Sequence, residues 1–242
     1  MGQKIVYLLV FTLISGLSYS QNSFDELIAS ANQKLKDKNY KEAIDNFNRA
    51  NSIQPEDTAA LNGLIKAYTL SEDYKEAQKQ LDIALKNHPN NPEFIFRQGI
   101  LYNLKGIHDM AIEEFMKALE LNPSSKLYLQ IILNKASAEI KTEDYTSALN
   151  DYNKAIELDP RNANFYNYRG LVNFKLTYYL DAINDYNNAL DLEPESALTY
   201  YNRGMTHLRL TEKQKACSDF HKACKMGNMT ACKMIITVCG GK

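Results

Sequence analysis

The sequence predicts an all-α fold in which about six helical hairpins stack on one another. Three observations carry this. Prolines recur at Pro55, Pro89, Pro123, Pro160 and Pro194, in steps of 34, 34, 37 and 34 residues, and a fixed period of that length marks a repeat array. Small residues recur in register within each period. A large apolar residue follows the second small residue by four positions.

The register runs along the whole folded part. Counting back from each proline puts repeat starts near Phe24, Thr58, Pro92, Leu129, Ala163 and Ala197. The first helix of each repeat carries Ala31, Ile65, Gly99, Ala136, Gly170 or Gly204, with Ile65 the exception to the small-residue rule. The second helix opens on Ala43, Ala77, Ala111, Ala148, Ala182 or Ala216. It continues with Phe47, Leu81, Phe115, Tyr152, Tyr186 or Phe220, and then with Ala50, Ala84, Ala118, Ala155, Ala189 or Ala223. Small residues mark places where one helix lies close to another. Helices this short are marginal alone in water, so each hairpin needs its neighbours.

Taken in order, the chain begins with Met1 to Ser20, MGQKIVYLLVFTLISGLSYS, where Lys4 is the only charged side chain. The apolar run Ile5 to Leu17 is shorter than the ~20 residues a membrane-spanning helix needs. Small residues at Ser18 and Ser20 follow it. This reads as a secretory signal peptide over 1–20, cut before Gln21; an uncleaved anchor or a buried first helix are the other readings. Six repeats then occupy 21–228, and a capping helix with its tail occupies 229–242. The step from Pro123 to Pro160 holds three extra residues. They fall at Ser124 to Tyr128, as a longer loop or one extra helical turn.

Two positions vary together. The residue before the first-helix small residue is Ser30, Leu64, Gln98, Lys135, Arg169 or Arg203, and the third residue after the second-helix alanine is Asn46, Gln80, Glu114, Asp151, Asp185 or Asp219. Bases appear only where an acid appears. The expected ion pairs are Arg169–Asp185 and Arg203–Asp219, because arginine grips a carboxylate with two bonds; the acid of the preceding repeat is the alternative partner.

All four cysteines lie in the last 26 residues, Cys217 and Cys224 on the sixth repeat's second helix, Cys232 and Cys239 on the terminal stretch. Each pair is seven residues apart. Two antiparallel helices at ~8–10 Å between axes bring facing Cα atoms to disulfide range. Seven residues span ~10.5 Å on both helices, so two rungs match: Cys224–Cys232 inside and Cys217–Cys239 outside. Export would meet an oxidising compartment. Free buried thiols and a four-thiolate zinc site are the alternatives, the latter without the close CxxC-type pairs zinc favours.

Other chemistry is missing from the sequence. There is no phosphate-binding glycine loop, no nucleophile elbow and no zinc-protease motif. His88, His108, His207 and His221 fall at different repeat positions. No catalytic or cofactor-binding residues are expected, and no cofactor. A net charge of −1 argues against a general nucleic-acid binder, which normally carries a basic patch.

The six-copy register resembles the tetratricopeptide repeat family, over roughly Phe24 to Asn228. The resemblance implies a right-handed α-solenoid whose first helices line a concave face, the usual working surface of such arrays. Carried over by position, the candidate peptide-binding groove consists of Asn32, Asn62, Lys66, Phe96, Asn103, Asn134, Ser137, Asn167, Phe174, Tyr201, Met205 and Arg209. Some family members grip a C-terminal carboxylate with a lysine–asparagine–arginine clamp; here the first-repeat sites are Ile28 and Asn32, and that pattern is not met. The expected function is a non-catalytic interaction scaffold of the cell envelope or secreted space, binding a peptide or partner protein. A structural subunit docking by its convex face or ends is the alternative, and a thiol- or metal-dependent enzyme ranks behind both. No stable membrane insertion is expected once the signal is removed.

Overall fold

The computed structural model describes residues 23–240, and every regular element among them is helical. The segment read as an export signal, 1–20, lies outside the described residues. The chain divides after Pro123 into two compact units. The first holds α1 (23–36), α2 (Tyr40–Ile53), α3 (Thr58–Leu70), α4 (Tyr74–Asn87), α5 (Pro92–Leu104) and α6 (His108–Glu120). The second holds α7 (Ser125–Lys141), α8 (Tyr145–Leu158), α9 (Ala163–Lys175), α10 (Tyr179–Leu192), α11 (Ala197–Arg209), α12 (Lys213–Lys225), α13 (Met229–Met234) and a π-helix (Ile235–Cys239). None of the described helices is long and apolar enough to cross a membrane.

Within each unit the helices pack in chain order. In the second, α8 lies against both α7 and α9, α10 against α9 and α11, and α12 against α11 and α13. The small residues explain the closeness. A Cβ at Gly170 would stand 2.7 Å from Cε1 of Tyr186, and one at Gly204 2.7 Å from Cε1 of Phe220. The ring on the second helix of each hairpin therefore fills the space that the first helix leaves open. The exception at Ile65 follows the same volume rule. Where the first helix carries isoleucine, the second carries Leu81 in place of a ring, and the two share one core cluster.

Local chemistry sets the helix ends. Asn39, Asp73 and Asp144 accept backbone N–H bonds at the starts of α2, α4 and α8, and Asp57, Asn91, Asn162 and Ser196 do so for α3, α5, α9 and α11. These side chains satisfy donors that a helix start leaves unpaired. The turn inside each hairpin uses one left-handed residue: Lys38, Glu72, Gly106, Glu143, Thr177 or Thr211. Only one of these six is a glycine, so glycine content does not mark these turns.

The three-residue insertion takes the form of extra helix. The helix α7 has 17 residues, whereas α3, α5, α9 and α11 have 13 each, and it begins at Ser125, ahead of the Leu129 start read from the period. The terminal stretch also departs from a plain capping helix. It is α-helical over six residues, then winds into the π-helix up to Gly240.

Candidate binding surface

Polar clamps hold α9 and α11 in place, and the clamps are built alike. Arg169 on α9 donates from Nε and Nη2 to the Asp185 carboxylate on α10, the closest contact being 2.6 Å, and from Nη1 to Asn153 Oδ1 on α8 at 2.9 Å. Arg203 on α11 repeats this with Asp219 on α12 at 2.8 Å and Asn187 on α10 at 2.7 Å. Each arginine thus binds the acid of its own hairpin and an amide of the preceding one. The covariation in the sequence pointed to the acid; the asparagine partner emerges only when three helices meet. Asn173 adds a bond to Asp185 Oδ2 at 2.9 Å. In the α7–α8 hairpin, Lys135 bonds Glu139 and, at 2.9 Å, Asp151. Glu139 is 2% exposed and its Oε2 has no partner among the described residues. Burial holds its carboxyl above the usual range, against the pull of Lys135.

Between the clamped helices α9 and α11 lies a cleft of 190 Å³, lined by Leu171, Phe174, Tyr186, Tyr201, Asn202 and Met205. It is smaller than the ~300–1,000 Å³ typical of sites that enclose a small molecule. Its size suits an apolar side chain projecting from a larger partner. Phe174 and Leu171 form the α9 wall, Tyr201 and Met205 the α11 wall. Tyr186 reaches up from α10 as the floor, and burial pushes its hydroxyl up, well away from ionisation at neutral pH. Asn202 supplies one amide, able to both donate and accept. Arg209, exposed at the end of α11, lies 5.9 Å from the centre of the Phe174 ring.

The twelve groove candidates separate on burial. Phe174, Tyr201, Met205 and Arg209 come together at this cleft. Ser137, Lys66 and Asn32 are exposed elsewhere, Asn32 donating to the Ile28 carbonyl at 2.9 Å. Asn134 donates to the Gln130 carbonyl at 2.8 Å, and Asn103 Oδ1 lies 2.6 Å from His108 Nδ1. Asn62 is taken up by Glu93 at 2.6 Å and Arg97 at 2.8 Å. Two candidates require correction. Phe96 is 2% exposed, its ring packed 5.8 Å from that of Phe115, so it is core. Asn167 is 6% exposed and accepts from Thr199 Oγ1 at 3.2 Å, so it joins α9 to α11 from inside. Positional carry-over placed both on the open face, but it cannot tell which side chains of a first helix turn inward. Leu171 and Asn202 were missed. Tyr186 was read only as core, although its ring position pointed between the two helices.

A second depression, polar and of 470 Å³, lies on another side of α9, between α8 and α10. Asn153, Arg169, Asn173, Asp181, Asn184 and Asn188 are among its lining. At the C-terminal end, Cys217 joins Cys239 with Cα atoms 5.7 Å apart, and Cys224 joins Cys232 at 4.8 Å. No free cysteine remains, and no group of three or more His, Cys, Asp or Glu among the described residues is arranged to hold a metal ion.

Comparison with known proteins gives consistent likenesses. Family models described as tetratricopeptide repeat or TPR repeat match residues 34–95, 71–126 and 136–176, together more than half of the chain. Tetratricopeptide repeat protein 28 of Mus musculus is 29% identical over 126 residues, 51% of this chain and 5% of that protein. The chain spans 5 to 28% of the length of the curated relatives it resembles. Among solved structures, PilF of Pseudomonas aeruginosa superposes with a TM-score of 0.75 at 14% identity, covering 90% of this chain and 99% of PilF. YrrB, described as a TPR protein with an unusual peptide-binding site, superposes at 0.66 with 20% identity, covering 77% of this chain and 96% of YrrB. At these identities the structural likenesses speak for the fold alone.

Proposed function

Because this chain belongs to the tetratricopeptide repeat family, we propose that it is a non-catalytic scaffold that docks a peptide or partner protein on the α9–α11 face. The observation that carries this reading is the apolar cleft between Phe174 and Met205, open to solvent and sized for a side chain. A rigid frame supports it, since the Arg169 and Arg203 clamps tie α8 through α12 together. A preformed site lowers the ordering cost of binding. YrrB, by its description, has a peptide-binding site on the same fold. Residues 1–20 act as an export signal in this reading, and the cysteine pairs suit the oxidising space beyond the membrane.

The test is a peptide array probed with the wild-type protein and with Met205→Glu, folding being checked by circular dichroism. The reading expects a set of peptides whose binding Met205→Glu abolishes. Binding indifferent to Met205→Glu but lost in Asn188→Arg would transfer the site to the polar depression between α8 and α10, the observation that favours docking by the other side. Export is tested separately: N-terminal sequencing of the protein recovered from its native cells should begin at Gln21.

A further inference from the structure

The last turns of α7, α9 and α11 each carry a cation at the same register position: Lys141, Lys175 and Arg209, five residues after Ala136, Gly170 and Gly204. All three are exposed, and among the described residues none has a carboxylate within ion-pair distance. Three other bases on these helices behave differently. Lys135, Arg169 and Arg203 are all committed to buried acids.

Helix C-termini favour positive charge, by ~0.3–1 kcal/mol each. That preference accounts for a cation somewhere in a last turn. It does not account for the equivalent positions of α3 and α5, which carry Leu70 and Leu104, exposed and apolar. Nor does it account for the placement of Arg209, whose guanidinium lies over Phe174, a wall of the apolar cleft. Lys175 directly follows that phenylalanine in the chain. An unpaired positive edge therefore adjoins an apolar socket.

We infer that the partner segment docked on this face is acidic, with one apolar anchor in the α9–α11 cleft and carboxylates meeting Arg209 and Lys175, and Lys141 beyond them. The inference rests on the docking reading above and names the chemistry of its partner. Neighbouring helix axes stand ~8–10 Å apart, and an extended chain rises ~3.3 Å per residue. A segment crossing α11 and then α9 would therefore present acids about three residues apart. The arginine end offers paired N–H donors to a carboxylate, and the lysine a point charge.

The experiment uses three short fluorescein-labelled peptides that share one leucine anchor. At two positions three residues apart they carry glutamate, glutamine or lysine. Binding is followed by anisotropy at about 50 and about 300 mM salt, a range over which screening of exposed charges becomes strong. The glutamate peptide should bind about tenfold tighter than the glutamine peptide at low salt, a difference of about 1.4 kcal/mol. That advantage should shrink at high salt and vanish in the Lys175→Gln, Arg209→Gln double variant, while the glutamine peptide keeps its affinity. Equal binding of the glutamate and glutamine peptides, lost on Met205→Glu, would overturn the acidic partner and leave the cleft reading standing. Binding of none of the three peptides at millimolar concentration would overturn both.

Discussion

Replacing Arg169 by methionine should destabilise the second unit by about 3 kcal/mol. The Asp185 side chain is 4% exposed and that of Arg169 23%. Removing one member of a buried pair leaves the other charge uncompensated, which costs ~3–5 kcal/mol. The lower end applies because Asn173 still donates to Asp185. The variant also frees Asn153, so α8 and α9 lose their shared bond. For a chain of this length ~3 kcal/mol corresponds to about 6–12 °C in Tm, read by circular dichroism. Hydrogen exchange should quicken in α8 to α10 first.

The pH dependence gives a second readout of the same variant. Burial raises the Asp185 carboxyl above its ordinary value, and Arg169 pulls it down; without the arginine it rises further. A carboxyl raised in the folded state holds a proton that the unfolded chain has already lost. Its contribution to stability is therefore complete below the unfolded value of ~3.9 and declines as pH rises through the folded one. The destabilisation by Arg169→Met should accordingly be smallest near pH 4 and grow toward neutrality. Adding Asp185→Leu should recover most of the loss, since an apolar pair of similar volume tolerates burial. A loss under about 1 kcal/mol, as for an exposed pair, or a double variant no better than the single one, would refute the argument.

Four further outcomes are expected. Thr177→Gly, at φ 65° in the α9–α10 turn, should stabilise by about 0.5–1 kcal/mol, because a β-branched residue pays ~1–2 kcal/mol in the left-handed region and glycine returns part of that in unfolded-chain entropy; urea unfolding measures it. Glu139→Gln should flatten the stability–pH profile above the ordinary glutamate range. Burial raises Glu139, so in the wild type its contribution falls as pH climbs from the unfolded toward the folded value, and chemical unfolding at several pH values reads the slope. A non-reducing peptide map should join Cys217 to Cys239 and Cys224 to Cys232. Cys239→Ser, which opens a link of sequence separation 22, should cost about 3 kcal/mol by loop entropy and speed hydrogen exchange across α13.

The fold was legible because it is local and repeated. Ala43, Phe47 and Ala50 already display a helix face, and the same face returns at steps of 34 residues, once of 37. A residue that breaks the rule, such as Ile65, is answered within its own hairpin by Leu81. The ion pairs were legible for the same reason: Arg169 and Asp185 belong to one hairpin, so their covariation is short-range. The binding face was less so. Asn167 and Phe96 occupy first-helix positions like those of Tyr201 and Met205, yet the former two are covered and the latter two line a cleft. Phe96 packs on Phe115 of its own hairpin and Asn167 bonds Thr199 of the following one, and the position on the first helix encodes neither contact.

By itself, then, the amino-acid order determined the period, the helix pairs, the small-against-large packing and the acid that each arginine seeks. All of these follow from contacts within one hairpin or between chain neighbours, where spacing along the chain converts directly into position. Tertiary structure alone decided that Asn153 and Asn187 complete the clamps, that the inserted residues lengthen α7, and that α9 and α11 leave a socket between them. The clamps and the socket depend on the angle and offset between successive hairpins. Many small side-chain volumes acting together set that geometry, and it has no single-residue signature.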